Sequence, residues 1–455
     1  MFQIDNKDKN LLSQTVRIGL PVAIQSALVA ILSLADVLMV SNFGTEATAA
    51  VGLASKWHFV AIMLMAGLST ASGILIAQFW GKNDPTSAKT VTIIAIKAGT
   101  ILLTPISVIF VVFSDHILHI QTNDMNVVRL GSEYLWYASP VLLLTHLVIV
   151  FESTMRSTND AFTPLLIAIM TIAINIILNY GLISGNLGMP ALGVAGAALA
   201  TTISRIVQLA VFLSYFHIKR HWLQSVSQLR DSATLRITYR RLAIPAVANS
   251  LLWAMGTMVY QTIFGHMGTL ELAVYSTLGP FESLCYSLFF GLSVACSVMI
   301  GQRLGGKNYD DAFKTSVMFT KVFGLLGIIS SAVLLLLQPL LLRLLAMDSE
   351  QFLPISKPAI TILSIAVSLK MINMIMINGI LRSGGDNAFC LRTDFVAMWL
   401  CGIPITAVGA FFMQMDFQYV YALMLVEEFI KLFMCWRRYR TKVWLRDLTD
   451  EIVLS

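Results

Sequence analysis

Residues 15–42 read TVRIGLPVAIQSALVAILSLADVLMVSN, and only two of these 28 side chains, Arg17 and Asp36, are of ordinarily charged types. About 20 predominantly apolar residues suffice to cross the hydrocarbon core of a bilayer as a helix, so this stretch predicts a membrane span. Asp36 lies deep within it. Even on lenient insertion scales a charged residue there costs about 2.5–3.5 kcal/mol, and acids retained at such depth usually serve a function. A carboxyl withdrawn from water is able to take up and release a proton near neutral pH. The structural alternative is a carboxyl paired with a neighbouring helix.

The same pattern recurs along the chain, at 50–79, 90–113, 131–153, 164–184, 193–216, 242–265, 273–302, 315–338, 358–380, 390–412 and 418–436. Twelve spans are therefore expected. The composition agrees: 57% of residues are hydrophobic and 12% charged, against roughly 25% charged in soluble domains. The polar N-terminus MFQIDNKDKNLLSQT lacks the apolar core and cleavage site of a secretory signal and is read as a retained tail. The five cysteines all lie in expected spans, without C-x-x-C spacing, which favours small apolar thiols over metal or redox chemistry.

Cytoplasmic loops of membrane proteins are enriched in Lys and Arg. With the N-terminus inside, alternate loops hold 22 of the 31 basic residues and the outer loops only Arg129, Arg343 and Lys357. Both termini are thus expected in the cytoplasm; the location expected for this multi-pass protein is the cell inner membrane. The net charge of +6 follows from this asymmetry and calls for no nucleic acid.

The chain also repeats. An offset of 224 aligns residues 17–81 with 241–305 without a gap, with 16 identities in 65 positions. They include Pro21/Pro245, Gly44/Gly268, Gly67/Gly291, Gln78/Gln302 and Gly81/Gly305. At an offset of 226, RSTND (156–160) matches RSGGD (382–386). Six helices return each repeat to the same orientation, so the expected fold is all-α, with two six-helix lobes related by a pseudo-two-fold axis along the membrane normal. The expected division is a cytoplasmic tail 1–14, N-lobe 15–216, cytoplasmic linker 217–240, C-lobe 241–437 and cytoplasmic tail 438–455. Two like bundles suit alternating access and favour a transporter over a channel.

Polar groups inside spans mark candidate sites. Asn175 and Asn179, four residues apart, share one helix face, at a depth comparable to Asp36. Amides donate and accept and so tolerate an acid in either protonation state; interhelical adhesion is the competing role. In GVAGAALATTISR (193–205) small residues allow close helix approach. Thr201 adds a hydroxyl, whose local alternative is a bond to its own helix backbone. Pro21, on the helix of Asp36, removes a backbone hydrogen bond and is a candidate hinge. Arg205 and Lys370 lie mid-span without an evident partner in sequence, and Glu282 stands where the first repeat has His58. Lys431 follows Glu427 by four, the spacing of a helical ion pair.

AQFWGKND, MRSTNDAFTP, NIILNYGLISGNLGMPALGVAGAALAT, IGQRLGGKN and LRSGGDNAF, with Pro21 and Asp36 on one first helix, resemble the multidrug and toxic compound extrusion (MATE) transporters over nearly the whole chain. The resemblance implies efflux of bulky cationic or amphipathic drugs and toxins, driven by inward flow of protons or sodium, and carries Asp36, Asn175, Asn179 and Thr201 over as the coupling site. Acids common in the seventh and tenth helices of sodium-coupled relatives are missing here, which favours protons. The expectation is therefore a non-enzymatic, proton-coupled multidrug antiporter. It needs no cofactor, sits among membrane lipid and acts as a monomer, with protonation at Asp36 and a hinge at Pro21. Sodium-coupled antiport and a lipid-linked oligosaccharide flippase on the same fold are the alternatives.

Overall fold

The computed structural model describes residues 6–41, 45–122, 124–219, 221–223, 233–345 and 347–450. The side chains of residues 6–10, 33–34, 36–38, 40–41, 45 and 280 are outside that description. The described residues contain helices and no strand. The long helices are α1 (Asn6–Ser41), α2 (Thr45–Gly81), α3 (Pro85–Val112), α4 (Met125–Ser157), α5 (Phe162–Ser184), α6 (Gly193–Ile218), α7 (Ala233–Met267), α8 (Thr269–Gly305) and α9 (Tyr309–Leu336). They continue with α10 (Leu353–Gly384) and α11 (Asn387–Phe412). Eleven helices among the described residues are long and apolar enough to cross a membrane. The twelfth expected span corresponds to α12, residues 417–440, which is formed by Phe417–Leu423 and Leu425–Arg440 with Met424 between them in right-handed helical conformation. Large apolar side chains remain outward along these helices, among them Ile101, Leu336 and Phe412 at 75%, 80% and 84% exposure. Such a surface is stable only against lipid.

The internal repeat is visible in the turns. Asn83 and Lys307, repeat mates at the 224-residue offset, both adopt positive φ, 60° and 59°. Asn159 and Gly385, mates at the 226-residue offset, have φ 69° and 79°. Asp84 begins α3 by accepting from the Ser87 amide at 3.0 Å, with Pro85 in the first turn, where a missing N–H costs nothing.

The chain forms two compact units, residues 24–247, and residues 1–23 together with 248–455. The boundaries fall inside α1 and α7, two residues beyond Pro21 and Pro245. They are again one repeat apart. The physical reason lies in two close helix crossings. In one unit, a Cβ on Gly291 of α8 would stand 2.3 Å from Gly19 O and 2.4 Å from Ala23 N of α1. In the other, Tyr239 of α7 donates to Leu68 O of α2 at 3.2 Å, beside Gly67. The core of the 24–247 unit packs Ala54, Met65, Leu103, Leu135 and Leu142 from α2, α3 and α4.

Candidate functional site

Helices α5 and α6 are joined by a tight connection whose glycines Gly185 and Gly188 take φ 76° and 73°, a region that glycine enters without steric cost. Leu192 N closes it on Leu182 O at 2.8 Å. Gly196 then brings α6 against α5 so closely that a Cβ there would lie 2.3 Å from Leu182 O. The small residues of GVAGAALAT therefore do what their size permits. One turn further on, this contact sets Thr201 beside Asn175.

Asn175 and Asn179 are 3% and 0% exposed. Asn179 Nδ2 donates to Asn175 Oδ1 at 3.0 Å, and Asn175 Nδ2 donates to Thr201 Oγ1 at 3.5 Å. Thr201 also donates to Ala197 O at 3.0 Å, so the hydroxyl serves its own helix and the cluster at once. The structure thus brings together three of the residues singled out in the sequence. Asp36 belongs to α1 by its backbone, but its side chain lies outside the described residues. Pro21 sits within α1, which is one uninterrupted helix from Asn6 to Ser41.

A second group of polar residues in the same unit escaped the sequence analysis. Glu152 on α4 is 8% exposed. Its Oε1 accepts from Gln25 Nε2 of α1 at 2.8 Å and from Gln208 Nε2 of α6 at 3.3 Å. Its Oε2 lies 3.6 Å from Arg156 Nη1. Arg205 donates from Nη1 to Gln208 Oε1 at 2.6 Å, a neighbour three residues along its own helix. A cavity of about 100 Å³ is lined by His58, Tyr134, Thr145, Thr201 and Arg205, with apolar walls including Met65 and Leu142. Drug-sized ligands occupy about 300–1,000 Å³; this space suits water. The i, i+4 spacing of Glu152 and Arg156 was the available sequence signal. It was hidden because Arg156 alone counts as a loop charge.

The other unit carries its own buried charges. Lys431 Nζ of α12 lies 2.5 Å from Glu427, 3.3 Å from Asp394 and 3.9 Å from Glu428. Tyr260 OH donates to Glu427 Oε2 at 2.7 Å, Asn373 Nδ2 to Glu428 Oε2 at 2.7 Å and Asn249 Nδ2 to Asp394 Oδ2 at 2.6 Å. The i, i+4 pair expected from the sequence is present, and two further carboxylates converge on the same ammonium. Wide-turn π segments, Ile375–Leu381 and Phe395–Gly402, begin just beyond Asn373 and Asp394. Lys370, without an evident partner in sequence, pairs with Glu282. These two residues are 88 positions apart, a separation that no helical spacing reveals. All five cysteines are free thiols.

A family model described as MatE matches residues 21–181 and 245–408, one segment in each repeat. The chain is 24% identical to a probable multidrug resistance protein NorM of Thermotoga maritima, across 88% of this chain and 86% of that protein. It is 25% identical to the probable multidrug resistance protein YoeA of Bacillus subtilis, across 87% and 86%. Among solved structures, the Vibrio cholerae MATE transporter VcmN in its bent form superposes with a TM-score of 0.86 at 19% identity, covering 98% of both chains.

Proposed function

Because the chain belongs to the MatE family of membrane transporters, and is by that membership a transporter and not an enzyme, we propose that it exports amphipathic or cationic compounds in exchange for inward-moving protons. One observation carries this proposal: a buried, mutually hydrogen-bonded set of neutral groups, Asn175, Asn179 and Thr201, in a unit whose first helix contains Asp36. Amides and a hydroxyl hold a carboxyl in either protonation state, because each donates and accepts. With both termini in the cytoplasm of the cell inner membrane, Asp36 takes a proton from the outside. The helix bearing Pro21 responds to the neutral acid, and drug leaves outward. Deprotonation toward the cytoplasm resets the cycle. The names borne by NorM and YoeA support a multidrug substrate class.

Sodium coupling through the C-terminal unit is disfavoured by Lys431. Its ammonium stands among Asp394, Glu427 and Glu428 and already supplies the cation those carboxylates need. A flippase for anionic headgroups would need free cations in its cleft, and Lys370, which with Arg205 is one of the two mid-span candidates, is neutralised by Glu282. The test is Asp36→Asn in proteoliposomes. Substrate efflux driven by a pH gradient, independent of sodium in the parent, is expected to disappear in the variant; undiminished efflux refutes the proposal.

A further inference from the structure

The cycle just described needs a way for the proton to leave the α5–α6 site on the cytoplasmic side. Helix α6 provides a spine for one. Thr201, Arg205 and Gln208 fall at i, i+4 and i+7 and so share one face, spanning about 10 Å at 1.5 Å per residue. At the top of that face Thr201 accepts from Asn175. In the middle, Thr201 and Arg205 both line the cavity closed by His58, Tyr134 and Thr145. At about 100 Å³ the cavity has room for several water molecules, each of which needs roughly 10–15 Å³ of such space. The wall is polar enough to hold them, and His58 Nδ1 is buried without a hydrogen-bond partner among the described residues. At the bottom Gln208 donates to Glu152, one turn from Arg156 near the end of α4.

Glu152 is a carboxylate where a purely structural tie between α1, α4 and α6 would need none. Amides bridge helices at less cost than a buried charge. Its contacts from other helices, Gln25 and Gln208, are themselves amides, able to turn and serve a carboxyl as well as a carboxylate. The charged groups that act on it are Arg156 on its own helix and Arg205 on α6; His58 on α2 lines the cavity together with Arg205. Cations flank Glu152 on both sides, so an excess proton crosses this stretch at least cost as a neutral carboxyl.

Building on the proton-coupled reading above, we propose that Glu152 is the inward relay of a proton path that runs from the Asn175–Thr201 site through the His58–Arg205 cavity. A proton released at the outer site passes along cavity water and forms an O–H bond on the Glu152 carboxylate. That bond breaks again as the proton passes to water beyond Arg156, and the carboxylate is restored. Gln25 ties the same carboxylate to α1 four residues past Pro21, so the arrival of the proton alters a contact that holds the coupling helix.

The experiment measures drug-dependent proton movement in proteoliposomes with a pH-sensitive dye, for the parent chain, Asp36→Asn, Glu152→Gln and Glu152→Asp, with and without azide as a permeant proton carrier. Drug binding is measured on the same preparations. Glu152→Gln is expected to slow proton movement by at least about tenfold, the low end for a positioned proton-transfer group, with drug binding unchanged and with recovery in azide. Glu152→Asp, which keeps a carboxyl but loses the amide contacts, is expected to retain most of the flux. Normal flux in Glu152→Gln overturns the relay while leaving the transport mechanism intact, and so does loss in both variants without azide recovery. A parent chain that moves no protons overturns the proton-coupled reading itself.

Discussion

Gly67 of α2 lies against the backbone of Val247 of α7, so closely that a Cβ at position 67 would stand 2.5 Å from Val247 Cα. Its repeat mate Gly291 makes the corresponding approach to Gly19 and Ala23 of α1. Backbone cannot yield as a flexible side chain does. Gly67→Ala is therefore expected to force α2 and α7 apart at a cost of about 1–3 kcal/mol, and Gly291→Ala to do the same to α8 and α1. The melting temperature in detergent should fall for each. Gly279→Ala, where a Cβ meets nothing within 4 Å, should melt with the parent chain.

Removing the Asn175 amide deletes a buried acceptor that Asn179 uses. Asn179, fully buried, gives its Nδ2 proton to Asn175 Oδ1, and an unsatisfied buried group costs about 1–3 kcal/mol. Asn175→Ala is expected to lower stability by that order and to slow efflux more than it weakens drug binding. Asn175→Asp is expected to shift the pH dependence of efflux, because it places a second acid in the cluster. Efflux rates across a pH series in proteoliposomes provide the check.

Lys431 holds three carboxylates together. Lys431→Met leaves Asp394, Glu427 and Glu428 facing one another without their shared cation, and breaking a buried pair in this way costs about 3–5 kcal/mol. Loss of folded protein in size-exclusion chromatography is expected. Adding Glu427→Gln, which removes the carboxylate in closest contact, should recover part of it.

His221, between α6 and α7, stacks on Phe216 at 5.0 Å and lies 5.5 Å from Trp222. Burial holds its imidazole below the ordinary histidine range, opposed in part by Asp160. Opening the segment lets the ring bind its proton more readily, so the packed form is fully favoured above the ordinary value of about 6.5 and loses stability as pH falls below it. Trypsin cleavage at Lys219, divided at each pH by the rate on an unstructured reference peptide, is expected to rise from neutral pH toward pH 5, and His221→Gln to remove that dependence.

The fold class was legible because lipid leaves a chain few options. Every backbone polar group inside the hydrocarbon must be satisfied within the protein, and continuous apolar runs of about 20 residues do that as helices. The pairs Pro21/Pro245 and Gly67/Gly291 betrayed the duplication. The Asn175–Asn179 face was equally readable, since a helix brings residues four apart together whatever surrounds it. Lys370 and Glu282 were not readable as a pair, and neither was the junction of Gln25, Glu152 and Gln208, because their partners come from other helices at separations set only by packing.

By itself, then, the order of residues determined that this chain is a duplicated bundle of membrane-spanning helices, with its polar side chains placed at chosen depths. Periodicity and solvent are local constraints, and they act on each segment alone. Where each unit begins and ends was decided only in three dimensions, at Ala23 and Val247, because glycines on α2 and α8 let α7 and α1 approach to backbone contact. The same holds for the line of groups from Asn175 to Glu152. Each member is an ordinary polar residue in sequence, and only the packing of α4, α5 and α6 with α1 and α2 brings them into hydrogen-bond reach of one another, around the cavity that Thr201 and Arg205 line.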